Sequence, residues 1–326
     1  MKALSAALGA LFIWASFGLP SAAQDAGSAV SERAERAIIA WESWVETSGI
    51  ETGEAVLFFE GNPVARKAIG VAPGAAYEMA SLSKAVTAAC VLDLVEAGAL
   101  SFDDKVADLL PFDIKNPVLA QATLGDFITH RSGLRSDSTQ RRMYFWLGDA
   151  ETRHTQVARK VLERRHASVR KPGFTYSNDS YAVLGAVLDQ VSGRPFLELC
   201  APDGLRASPE TGGFASWGGW VAPVEAYAQF AHRVFGSKSP IARNPEAFPM
   251  VRIEGGAFYG MGMLGRMRDE GALFWHHGAY CFPLQFDAGS FVLVAGDWTV
   301  VAAFDGCISD AQTTDLETAF ARAVLK

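Results

Sequence analysis

Three short groups of residues carry side chains able to do chemistry. Ser81-Leu82-Ser83-Lys84 sets a hydroxyl and an amine three residues apart, and residues at that spacing share one face of a helix. A serine hydroxyl is a poor nucleophile until a base takes its proton, and a lysine whose charged form is disfavoured by burial can be that base. The N-terminus of such a helix adds backbone N–H groups that favour developing negative charge.

Tyr176-Ser177-Asn178 follows Lys171-Pro172-Gly173-Phe174-Thr175. In an extended loop, side chains two apart point the same way, so the phenol and the amide would face one site. A phenol with a lowered pKa can relay protons, and an amide can hold a substrate carbonyl. His276-His277-Gly278 ends a predicted strand. Alternation puts His276 and Gly278 on one face and His277 on the other, and a glycine there lets a substrate lie close against the strand. Consecutive histidines on a strand point apart and serve one ion poorly, and no nearby Cys or acid spacing completes a zinc set. The remaining histidines (His130, His154, His166 and His232) are scattered and read as surface or turn residues.

The elements that must position these groups follow from periodicity. From Ser31 to Glu46, Ala34, Ala37, Ile38, Trp41 and Trp44 recur at helical spacing with charged residues between them, which predicts an amphipathic helix. Ala55–Phe59 and Val64–Ile69 flank the turn text Glu60-Gly61-Asn62-Pro63 and predict a β-hairpin. A second helix is predicted from near Ser81 to Ala97-Gly98. The text from about Leu100 to Phe235 is mostly helical, broken at Pro111, His130–Gly133, Lys171–Gly173 and Ser192–Pro195. After Gly255 short β-rich runs return, at Ala272–His276, Phe291–Val294 and Thr299–Phe304, before a final helix over Asp310–Leu325. The expectation is an α/β (α+β) fold: one antiparallel sheet built from both ends of the chain and flanked by N- and C-terminal helices, with an all-α subdomain inserted. Its sheet part takes about residues 24–80 and 240–326, and the helical part about 81–239.

Composition narrows the possible partners. The chain has 326 residues, 49% hydrophobic and 20% charged, with 36 Asp plus Glu against 29 Lys plus Arg and a net charge of −7. These values exclude a disordered or collagen-like chain. The acidic balance argues against a nucleic-acid partner, which needs clustered positive charge, and leaves a small-molecule or peptide substrate. Lys2, the uncharged run Ala3–Leu19 and Pro20-Ser21-Ala22-Ala23-Gln24 have the form of a secretory signal peptide cut after Ala23. The run is short and rich in small residues compared with a membrane span. A protein exported to the periplasm or the medium without a stable membrane anchor is expected, where disulfides can form. Cys281 and Cys307 lie within one run of predicted strands and are the best candidate pair, while Cys90, on an apolar helix, reads as a buried small hydrophobe. Oligomeric state is left open.

Taken together, the three motifs resemble those of serine β-lactamase-like hydrolases, in the group of class C β-lactamases, esterases and D-stereospecific peptidases. Ser-x-x-Lys belongs to penicillin-recognising enzymes, and Tyr-x-Asn and His-x-Gly fit this subgroup, with His in place of the Lys of Lys-Thr-Gly. The stretches Glu96–Asp104, Leu124–Leu134 and Tyr181–Phe196 also resemble family text in the right order, so the likeness runs over about Ala55–Phe304. The resemblance implies that Ser81 attacks a carbonyl to form an acyl-enzyme, with Lys84 as general base and Tyr176 as proton relay. It implies that Asn178, His276 and Gly278 contact substrate and that the N–H groups of Ser81 and Ala279 form the oxyanion hole. No metal and no cofactor are implied.

Departures from the family pattern bear on substrate. His276 stands where many relatives hold a constant positive charge, and imidazole is mostly neutral at pH 7. The Gly-rich text usual after His-x-Gly is Ala279-Tyr280-Cys281-Phe282-Pro283 here, and Cys200–Leu205 is compressed. The balance leans to an esterase, D-amino-acid peptidase or amidase over β-lactam hydrolysis. The alternative is a non-catalytic penicillin- or cell-wall-binding protein that keeps the fold.

Overall fold

The computed structural model describes residues 22–134, 137–164, 173–269 and 271–325. The apolar run of the signal-like segment and His166 therefore lie outside the described residues. Helix α1 (Ala22–Ser48) is followed by strands β1 (Thr52–Phe59), β2 (Asn62–Ile69) and β3 (Ala76–Glu78). Then come α2 (Ser83–Glu96), α3 (Val106–Leu109), α4 (Leu124–Ile128), α5 (His154–Leu162), α6 (Asn178–Ser192) and α7 (Phe196–Leu199). Strands β4 (Arg206–Ala207) and β5 (Trp220–Pro223) precede α8 (Val224–Phe235) and α9 (Pro240–Arg243). The chain closes with β6 (Met250–Arg252), β7 (Phe258–Gly260), β8 (Met263–Arg268), β9 (Gly271–Phe282), β10 (Phe286–Ala295), β11 (Trp298–Asp305) and α10 (Asp310–Leu325).

The main sheet runs β2-β1-β11-β10-β9-β8-β7-β6, with every neighbour antiparallel. Strands from the two ends of the chain meet at β1 and β11, where Val56 pairs with Val301. Both strands are nearly continuous apolar runs because helices cover both faces. On one face α1 and α10 pack through Trp41, Trp44, Leu316 and Phe320 against Leu57, Val300 and Phe304. On the other face α2, α6 and α8 bury Val86, Leu184, Tyr227 and Phe230 in one core with Val56, Val292 and Val301. The result is the α+β fold expected: an antiparallel sheet with terminal helices, and a mostly helical stretch between its halves.

The structure departs from the sequence-based expectation in three places. The first helix begins at Ala22 rather than Ser31, since Ala and Ser residues extend a helix without adding apolar periodicity. Two strands inside the helical stretch, β4 and β5, join β3 from before it in a second sheet, β3-β5-β4, whose strands of two to four residues are too short to show alternation. Cys90 is not a free hydrophobe; it is bonded to Cys200 across 110 residues, a partner brought close only by packing of α7 beside α2. Cys281 on β9 and Cys307, two residues past the end of β11, are bonded as expected.

Candidate active site

The approach to α2 sets the position of Ser81. Met79 donates its N–H to Trp220 O at 2.9 Å, and its carbonyl accepts the Ser290 hydroxyl at 2.8 Å. Ala80 then takes φ 43°, a left-handed conformation costing an alanine on the order of 1 kcal/mol. Complete burial of Ala80 and the two bonds on Met79 hold it there. Ala80–Leu82 form one 3-10 turn ahead of α2, so Ser81 and Lys84 straddle a junction rather than sitting in one regular helix. The spacing still brings them together.

Lys84 is fully buried. Its Nζ lies 3.0 Å from Ser81 Oγ and donates to Trp217 O at 2.9 Å, over the ring of Tyr176 at 4.9 Å. Desolvation lowers its pKa from 10.5 to about 7, with the negative charge of Asp137 opposing the fall. A neutral amine at that position accepts the Ser81 proton while still donating to Trp217 O.

Tyr176 also faces Ser81, but its phenol moves opposite to the expected direction. Desolvation raises it above the ordinary value of 10.0, and the neighbouring Ser81 opposes only part of that rise. The phenol is thus neutral at rest and serves as a proton donor and acceptor, not as a phenolate. Asn178 does not sit in an extended loop; it is the first residue of α6, whose N-cap Ser177 accepts the Asp179 N–H. Its N–H donates to Asp137 Oδ2 at 3.0 Å, and its side-chain amide donates to Thr139 Oγ1 at 3.0 Å.

β9 brings the third group. His276 is buried and His277 exposed, as alternation predicts. His276 Nδ1 donates to His277 O at 2.6 Å, which leaves Nε2 unprotonated in the neutral ring. Burial first, then His277 and Lys84, hold His276 well below 6.5. Gly278 pairs with Ser290 at a point where a Cβ would stand 2.6 Å from Ser290 Oγ, 2.7 Å from Met79 O and 2.8 Å from Ser81 N. The absence of a side chain therefore lets β9 lie directly against the Ser81 turn, and places Ala279 beside it.

Ser81, Phe174, Tyr176, Tyr259, Leu264, His276, His277 and Ala279 line one cleft of about 350 Å³. None of these described lining residues is Lys, Arg, Asp or Glu. The sequence reading missed Tyr259, Asp137 and, above all, His130. Rather than a surface residue, His130 is buried, 4.6 Å from the Tyr176 ring and 4.8 Å from that of Tyr259 between centroids. His154 is likewise buried, bonded to Asp189 at 2.5 Å, and His232, half-buried on α8, bonds Thr299 at 3.1 Å. The one signal for His130 was its place ahead of the Arg131-Ser132-Gly133 turn.

Residues 42–203 match the family model described as Beta-lactamase. Penicillin-binding protein 4 of Amycolatopsis lactamdurans is 29% identical over 150 residues, 43% of this chain and 37% of that protein. The match thus spans little more than a third of that relative. The β-lactamase/D-alanine carboxypeptidase of Yersinia pestis superposes with a TM-score of 0.70 at 15% identity, over 90% of this chain and 99% of its own. A D-stereospecific amidohydrolase from Streptomyces sp. gives 0.64 at 16% identity, over 90% and 97%. Its matched segment is similar to the Beta-lactamase family, and the fold of the chain is that of serine β-lactamase-like and D-alanine carboxypeptidase structures.

Proposed function

We propose that the protein is a serine hydrolase that cleaves an ester or amide through an acyl-enzyme on Ser81. The observation that carries this reading is a buried Lys84 Nζ, 3.0 Å from Ser81 Oγ, with a pKa of about 7. Neutral Lys84 takes the Ser81 proton as Oγ bonds to the carbonyl carbon. The oxygen takes the negative charge, and the N–H groups of Ser81 and Ala279 stabilise it. The tetrahedral species collapses by expelling the alcohol or amine, which receives the proton from Lys84 through the neutral Tyr176 hydroxyl. Water then attacks the acyl carbon, with the same groups taking its proton and returning one to Ser81 Oγ. Asn178, buried and bonded to Asp137 and Thr139, holds the start of α6 behind Tyr176, and His276 and Gly278 border the carbonyl.

The cleft favours neutral substrates. Its described lining is largely aromatic and aliphatic, and burial holds His276 well below 6.5, so it offers no fixed cation to a substrate carboxylate. That supports an esterase, D-amino-acid peptidase or amidase acting on an uncharged carbonyl group over a β-lactamase. Two disulfides agree with work in the periplasm or outside the cell, after removal of the signal-like segment.

The test is labelling of Ser81 by a fluorophosphonate, followed by hydrolysis of p-nitrophenyl butyrate, a D-amino-acid p-nitroanilide and nitrocefin. We expect labelling and turnover of the first two, and loss of both in Ser81→Ala. Turnover retained by Ser81→Ala would sink the mechanism, and an unlabelled wild-type protein would favour a binding protein instead.

A further inference from the structure

We infer that His130 is the positioning residue for Tyr176, clamping the backbone on both sides of it. The Thr175 N–H donates to His130 O at 2.9 Å, and the Ser177 N–H donates to His130 Nδ1 at 3.3 Å. Tyr176 is the residue between them. The imidazole packs on the Tyr176 ring at 4.6 Å, and it touches Tyr181 and Tyr259 on its other sides, at 5.2 and 4.8 Å. One side chain and its own carbonyl thus fix the height and the direction of the phenol.

Two further observations fit a residue selected for this task rather than for filling space. His130 holds φ at 56°, a region that costs most side chains energy and that persists where surrounding structure imposes it. That turn aims its carbonyl and its ring at the same three-residue segment. Its Nε2 is buried with no hydrogen-bond partner among the described residues, a polar cost that an apolar ring would avoid. The ring is nevertheless in the right state: burial, then Lys84 and His276, hold it well below 6.5, so Nδ1 is free to accept the Ser177 N–H.

The role rests on the serine-hydrolase reading for its effect on turnover but not for the clamp itself, and the two are separable. Amide hydrogen exchange reads the clamp directly. In His130→Phe, which keeps a ring and the backbone carbonyl, the Ser177 amide should exchange roughly tenfold or more faster, as loss of one buried hydrogen bond requires, while Thr175 stays protected. For turnover, His130→Ala should lower kcat for p-nitrophenyl butyrate about tenfold or more with KM nearly unchanged, since a proton relay acts in the transition state. His130→Asn places an acceptor near Nδ1 and tolerates the left-handed region, so it should recover kcat to within about threefold of wild type. A Ser177 amide unchanged in His130→Phe overturns the clamp. Equal losses in His130→Ala and His130→Asn at unchanged melting temperature overturn the positioning role. Release of Ser177 in a protein whose Ser81 takes no fluorophosphonate supports the clamp and removes only the hydrolase reading.

Discussion

Gly278 and Ser81 belong to different layers of the molecule, yet a Cβ on Gly278 would stand 2.8 Å from the Ser81 amide nitrogen. The strand that carries His276 and Ala279 and the turn that carries the nucleophile are in backbone contact. Their joint geometry, rather than either side chain, defines where a carbonyl oxygen would be held.

Gly278→Ala should therefore abolish turnover while leaving the chain folded. The added methyl meets Met79 O and Ser290 Oγ as well, so β9 must move off the turn at a stability cost of about 1–3 kcal/mol. A thermal melt and Ser81 labelling check this together, and a variant with wild-type labelling would contradict it.

Acylation should fall as pH drops through about 7, because the amine that takes the Ser81 proton is then charged. Lys84 has a folded pKa of about 7 against an ordinary 10.5. The unfolded chain holds the extra proton between those values, so stability rises with pH across that window, and the penalty of a buried ammonium is complete below it. Lys84→Met should be inactive and should gain stability relative to wild type at pH 6, by a margin that shrinks toward pH 10.5. Denaturant melts of both proteins across that range measure it.

Tyr176→Phe should lower kcat by roughly 10²- to 10⁴-fold, the usual worth of a positioned proton donor or acceptor. Because the phenol is raised rather than lowered, the wild-type pH profile should show no loss from a tyrosinate between pH 7 and 9. A descending limb there that disappears in Tyr176→Phe would count against the neutral phenol.

Removing the Cys90–Cys200 bond by a double Ser substitution should cost about 2–4 kcal/mol, as expected for closure of a long loop. The bond ties α2, which carries Lys84, to the end of α7. Comparing melts of the oxidised protein and the double variant tests this, and an unchanged midpoint would show that packing alone holds the two helices.

The sequence by itself determined what depends on local spacing. Spacing of three residues brings Ser81 and Lys84 together, and alternation along β9 separates His276 from His277. Apolar runs at both ends of the chain were enough to assign one sheet with terminal helices. Tertiary structure decided everything that depends on what surrounds a group. Burial sets Lys84 near 7 and desolvation of the phenol raises Tyr176, and neither surrounding can be read from neighbours in the chain. Cys90 meets Cys200, and His130 reaches Thr175 and Ser177, only after segments 45 to 110 residues apart are packed against each other. Hydrogen bonds and desolvation act over a few ångströms in space, so they are invisible to a reading whose ruler is sequence separation.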